Sequence, residues 1–286
     1  MNRDGLIHSS PRETVNMTVA ELATRIRLEA VNMIAPQGFG YLGQALSAAE
    51  QIAAVFTRVD WDDDRLICSP GHYIIAPYAA AAALGMLSAD DIAGYGRNGS
   101  RLEAIGTESA PVVDYTCGSL AQGLSAAAGF ALDDRLHGSD SGNRHGRIFT
   151  LISDGELEEG QTWEAALFAA HHRLDRLIVL LDANDSQVDG PVSSITTLEP
   201  IREKWESFGW HVQEIDGHDA GAVVTALDAA EAATDRPSIV ISRTSTVQGL
   251  DVLPDDADGH FIKLPTELAA DARAELADTL TTLESA

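Results

Sequence analysis

The apolar positions first settle into a period near Thr18. Val19 to Met33 carries apolar residues at helical spacing, with Thr18 placed as N-cap and Glu21 three residues on, which predicts a capped helix. A glycine-rich loop follows, Gly38-Phe-Gly-Tyr-Leu-Gly43. Ser47-Ala-Ala-Glu50 reads as a second capping box, opening a helix to about Phe56. Leu66 to Ser69 predicts a short strand, Gly71-His72 a tight turn, and the apolar run after it a helix to about Leu84. Ser88-Ala-Asp-Asp91 is another capping signal. Residues 96–117 have no clear period and read as a long loop, the kind that in a compact domain is functional or disordered. Gly118 and Ser119 then start an alanine-rich helix to about Leu136.

The second half alternates. Buried strands are expected at Arg147 to Ile152 and Leu177 to Leu181, an extended segment at His211 to Ile215 and a strand at Ser238 to Ser242. Helices are expected at Gln161 to His172, Ile201 to Phe208, Ala220 to Ala232 and Ala269 to Leu280. Such alternation predicts an α/β fold, a parallel sheet with helices on both faces. A length of 286 residues fits one α/β domain over residues 18–286 behind an irregular polar arm, 1–17, although two small domains would also fit. The stretch from Asp133 to Asn143 is the one that resembles low complexity.

Composition narrows the function. Hydrophobic residues make up 45%, enough for a sizeable core, but 44 acidic against 19 basic residues leave a formal charge of −25. That balance excludes a nucleic-acid partner, which needs a basic footprint, and an anionic membrane surface. No apolar run has the length of a membrane span, and no signal pattern opens the chain. Cys68 and Cys117 lie far apart in apolar or glycine-rich settings, which points to free thiols in a reducing cytoplasm.

Candidate chemistry sits where strands end. Parallel sheets hold ligands at the carboxyl ends of their strands. Ser153-Asp154-Gly155 follows one predicted strand, and Asp182-Ala183-Asn184-Asp185-Ser186 follows the next. If those strands are neighbours, Asp154 and Asn184 converge. A carboxylate with an amide oxygen suits Mg²⁺ or Ca²⁺ and suits soft metals poorly. Gly155 lets a phosphate approach the backbone. The same residues also suit an ordinary turn and an Asx-turn, and their spacing alone leaves both readings open.

The wider text adds to this. Ser153-Asp154-Gly155, with Asn184 about thirty residues later, resembles the thiamine diphosphate motif. Further stretches are similar to the N-terminal subunit of split bacterial transketolases. They are Ser69-Pro-Gly-His72, Cys117-Gly-Ser-Leu-Ala-Gln-Gly-Leu-Ser125, Asp154-Gly-Glu-Leu-Glu-Glu-Gly-Gln-Thr-Trp-Glu-Ala165, Asp189-Gly-Pro191, Phe208-Gly-Trp-His211 and Ile215-Asp-Gly-His-Asp219. The resemblance runs from about Leu22 to His260 and implies thiamine diphosphate with Mg²⁺ or Ca²⁺. Under it Asp154 and Asn184 ligate the metal through side chains, Ser186 adds its main-chain carbonyl, and Gly155 donates its N–H to the diphosphate. Gly118, Ser119 and Leu120 match the segment lying along the cofactor's rings. Glu159 matches an acidic residue linking paired active sites, and His72 and His260 match histidines near the diphosphate. Each histidine also has a plainer reading as a core or surface residue, and Glu159 as a favourable charge at a helix N-terminus. His218, before the expected N-cap Asp219, reads as structural, and His171 and His172 as favouring a helix end.

Departures from that family are specific. Ser153 stands where glycine is usual. Tyr41, in Gly40-Tyr41-Leu42-Gly43, and Ile105, in Leu102-Glu-Ala-Ile-Gly106, stand where transketolases carry substrate-facing histidines. A tyrosine, with an ordinary pKa of about 10, is a poor base at neutral pH, and isoleucine neither donates nor accepts a proton. The resemblance also implies a second polypeptide bearing the glutamate that activates the cofactor's pyrimidine, in a heterotetramer of two such chains and two partners. The leading expectation is transfer of a two-carbon ketol unit. The alternative is a first component of a 2-oxo-acid dehydrogenase complex, passing an acyl unit to a lipoyl or carrier-protein arm. Weaker alternatives are a flavodoxin-like module and a regulatory subunit that binds cofactor without turnover.

Overall fold

The computed structural model describes residues 17–107, 109–137, 146–254 and 257–285. Almost all of the expected N-terminal arm, and residues 138–143 of the low-complexity stretch, lie outside these. In chain order the elements are α1 (Val19–Ile34), β1 (Phe39–Gly40), α2 (Leu42–Ser47), α3 (Ala49–Phe56), β2 (Arg65–Pro70), α4 (Ile75–Ala83), α5 (Ala89–Gly94), β3 (Tyr115–Cys117), α6 (Gln122–His137) and β4 (Ile148–Ser153). Then come α7 (Gly160–His171), β5 (Leu177–Ala183), α8 (Val192–Ile195), α9 (Ile201–Ser207), β6 (His211–Asp216), α10 (Ala220–Ala232), β7 (Ser238–Arg243), β8 (Ile262–Lys263) and α11 (Thr266–Glu284). Short 3₁₀ turns, Gly71–Ile74 and Asp154–Glu158, follow β2 and β4.

Six strands form a parallel sheet in the order β3-β2-β4-β5-β7-β6. Both faces are covered at its centre, so β4 and β5 are buried along their whole length, while the edge strand β6 is only partly buried. In β5, Ile178 and Leu180 face one core while Leu177, Val179 and Leu181 face the other. The first core takes its buried helical residues from α1, α2, α3, α4, α10 and α11, and the second from α6, α7, α8 and α9. The chain leaves β2 for β3 on one side and returns to β4 on the other. That reversal opens a crevice at the carboxyl ends of β2 and β4, where ligands of such sheets bind.

Local signals for caps are sound where water competes and fail where a buried acceptor does. Thr18 with Glu21, and Ser88 with Asp91, form reciprocal capping boxes, and Asp219 caps α10. Ser47 does not cap. It ends α2, and its hydroxyl donates to the buried Asp182 at 2.6 Å, while Glu50 pairs with Arg27 at 2.7 Å. Three further expectations need correction. The long loop contains β3, whose three residues are too few to show a period. The alanine-rich helix starts at Gln122, because Ala121 adopts a left-handed φ of 66° that breaks helical geometry at Gly118 and Ser119. Part of the glycine-rich loop is β1, paired antiparallel with β8.

Candidate active site

β4 and β5 are paired in register, Ser153 opposite Asp182, so the two polar clusters emerge side by side. Asp154 Oδ1 accepts the Gly155 N–H at 2.9 Å, and Oδ2 accepts the Asp185 N–H at 2.7 Å. One hydrogen bond thus ties Asp154 to the residue after Asn184. Asn184 Oδ1 accepts the Ser186 N–H at 2.9 Å, which is an Asx-turn. Its Nδ2 donates to the Tyr73 hydroxyl and to Asp182 Oδ2, each at 2.8 Å. Asp182 is fully buried and accepts from Ser47, Tyr73, Asn184 and Thr244. Burial, and then the Asp182 charge, push the Asp154 carboxyl up to about 7. Asp154 is only 3% exposed, so a cation beside it would relieve a cost that two backbone donors leave standing.

Beside these turns lies a cleft of about 310 Å³. His72, Gly118, Leu120, Gly155, Ser186 and His260 all line it, six of the ten residues singled out from the sequence. Asp154 and Asn184 line a second cleft, of about 370 Å³, with Asp185, Ser193 and Arg243. Ser119 and Glu159 are exposed, Ser119 with its carbonyl accepting from Cys117 Sγ at 3.1 Å and Glu159 at the N-cap position of α7. The Gly155 N–H is engaged by Asp154, but a Cβ at Gly155 would meet nothing closer than 3.8 Å. Packing therefore does not demand glycine there, and the space it leaves belongs to the cleft.

An aromatic and imidazole cluster forms one wall. Tyr41 lies 5.2 Å from His72, 5.8 Å from His260 and 5.1 Å from Phe261, and the two imidazoles are 5.0 Å apart, all between ring centroids. Burial, then the neighbouring His260, lowers the His72 pKa to about 3; burial also lowers that of His260. Both imidazoles are therefore neutral at physiological pH. Ile105, 45% exposed, lines the same cleft, so both positions that depart from the transketolase pattern face it.

Sequence reasoning passed over Glu156. It is fully buried and accepts from the Ser69 hydroxyl at 2.5 Å, the Ala121 N–H at 2.6 Å and the Ser153 N–H at 3.2 Å. One carboxylate, held at about 7 chiefly by burial, thus joins the ends of β2 and β4 to the Gly118–Ala121 turn. Nothing in the acidic run Glu156-Leu-Glu-Glu159 distinguishes it from its solvated neighbours. His218 is clear of the cleft lining. Its Nε2 accepts the Ser245 N–H at 2.8 Å and its Nδ1 lies 3.4 Å from Glu50.

Residues 18–277 match the family described as transketolase, thiamine diphosphate binding domain. The chain belongs to the transketolase family. It is 38% identical over 267 residues to a 6-deoxy-6-sulfo-D-fructose transketolase subunit of a Clostridium species, covering 90% of this chain and 94% of that one. It is 31% identical over 253 residues to one subunit of the apulose-4-phosphate transketolase of Actinobacillus succinogenes, covering 85% and 89%. Among solved structures, transketolase of Campylobacter jejuni superposes with a TM-score of 0.80 at 25% identity. There the transketolase-family chain is covered over 91% of its length but spans only 42% of the larger protein. These relatives favour ketol transfer over the acyl-transfer alternative. No helix among the described residues is long and apolar enough to cross a membrane.

Proposed function

We propose that this chain is the thiamine diphosphate subunit of a two-subunit transketolase-like enzyme that moves a two-carbon ketol unit. The observation that carries the reading is the strand-end arrangement of Asp154, Asn184 and Ser186 beside a cleft that also holds His72 and His260, in a chain matched to this cofactor domain. Asp154 and Asn184 would hold Mg²⁺, or Ca²⁺, through side-chain oxygens, with the Ser186 main-chain carbonyl as a further ligand. A carboxylate oxygen has more than one lone pair, so the backbone bonds to Asp154 leave room for a cation. Gly155 leaves the diphosphate an open approach, and the neutral imidazoles of His72 and His260 offer hydrogen bonds to it. Gly118, Ser119 and Leu120 would flank the cofactor rings, held by the Glu156–Ala121 bond. Glu159, exposed ahead of α7, would meet a second copy across an interface between paired sites. When bound, the cofactor supplies the electron sink for the carbanion left by carbon–carbon cleavage.

The partner reading is supported by relatives named as subunits and matched over nearly their whole length. That partner would carry the glutamate for the pyrimidine. A reducing cytoplasm suits the two free cysteines. Calorimetry on the co-purified pair tests the site. Thiamine diphosphate should bind with Mg²⁺ and lose most of its affinity in EDTA. Asp154→Ala should weaken binding roughly 100-fold or more. Unchanged affinity in EDTA, or in the variant, would place the metal elsewhere.

A further inference from the structure

Two segments far apart in the chain lock together beside the cleft. A Cβ on Gly43, near the start of α2, would lie 1.9 Å from the Gly259 carbonyl oxygen. A Cβ on Gly259 would lie 2.1 Å from Thr246 Oγ1. The facing glycines let the backbone just before His260 rest directly on α2. Gln44, the next residue of that helix, is 1% exposed. Its Nε2 donates to the His260 main-chain carbonyl at 3.1 Å and lies 3.2 Å from His260 Nδ1.

Hydrogen-bond chemistry then fixes a proton. A backbone carbonyl can only accept, so the Gln44 atom facing it is the amide nitrogen. The same nitrogen faces Nδ1, which must therefore present its lone pair. With Nδ1 accepting, the neutral ring carries its one proton on Nε2. The arrangement leaves Gln44 Oε1 buried without a partner among the described residues, a cost that an apolar side chain of equal length would avoid. Packing alone does not account for a glutamine here.

We infer that Gln44 is a positioning residue that holds His260 as its Nε2–H tautomer, so that the cleft is given a hydrogen-bond donor for an anionic oxygen. In the reading above, on which the identity of that anion rests, the oxygen belongs to the cofactor's diphosphate. Gln44 itself does not line the cleft.

Histidine-selective ¹⁵N NMR on the full chain, without cofactor, reads the tautomer directly, with His260→Asn identifying the signals. The wild type should show His260 protonated at Nε2. Gln44→Met keeps length and volume but removes the donor. It should shift the ring toward a mixture of tautomers and, in the co-purified pair, weaken thiamine diphosphate binding about tenfold. A wild-type proton on Nδ1 overturns the inference. So does an unchanged tautomer in Gln44→Met. Should that variant fail to fold, the wild-type spectrum decides alone. A wild-type pair that binds no thiamine diphosphate would instead overturn the cofactor reading and leave the tautomer result standing.

Discussion

Arg27 Nη2 donates to both carboxylate oxygens of Glu50, both side chains being about 5% exposed, and Arg27 donates in addition to the Leu46 carbonyl. Removing only the arginine would leave the buried carboxylate facing just the His218 imidazole, 3.4 Å away. Arg27→Met should cost about 3 kcal/mol in chemical denaturation, and adding Glu50→Leu should recover most of it. A single variant as stable as wild type would show that water or the His218 imidazole compensates Glu50. At the same scale, Tyr41 and Ile105 line the cleft and are expected to set what it accepts. Neither can relay protons at neutral pH as an imidazole does. The reconstituted pair should therefore turn over xylulose 5-phosphate and ribose 5-phosphate slowly, and donors or acceptors with fewer hydroxyls better. Turnover near a typical enzyme value of about 10 s⁻¹ on those two sugars would count against this.

Among elements, α2 is the most exacting. Gly43→Ala would drive a methyl group into the Gly259 carbonyl and should destabilise the protein by about 1–3 kcal/mol, with the His260 segment displaced. Thermal unfolding measures the first effect and the ring signals of His260 the second; no change in either would mean that the two segments part freely. α2 also marks where sequence patterns stop being informative. The buried strands, α10 with its Asp219 cap and the Thr18–Glu21 box follow from local chemistry and were legible. Ser47-Ala-Ala-Glu50 has the right spacing for a box, yet both polar groups are taken by partners from other parts of the chain, Asp182 and Arg27. In the site, Asp154, Gly155 and Asn184 were legible because each follows a clear strand. Glu156 and Gln44 were not, since their roles depend on Ala121, Ser69 and His260, which only the folded chain brings near.

For the whole molecule, the central expectation is a partner. Apolar side chains stand exposed on the cleft lining, Val188 at 76% and Ile105 at 45%, where a covering chain would remove them from water. Co-expression with a C-terminal transketolase-like subunit should yield a heterotetramer with two-fold symmetry by light scattering. Carbon–carbon cleavage should then need both chains. Full activity from this chain alone would sink the two-subunit reading.

The ties that frame the cleft also set an order of events. Asn184 to Tyr73, Ser47 to Asp182 and Gln44 to His260 span 111, 135 and 216 residues. Each closes a long loop, whose entropy must be met before the contact returns anything. During synthesis, α2 and β2 leave the ribosome well before the segment after β7, so the pocket waits on the late arrival of Gly259 and His260. A growing chain can have its first helices and strands in place and still offer the cofactor no lodging. Under the proposed reading, thiamine diphosphate capture should follow only once the Gly259–His260 segment has folded against α2.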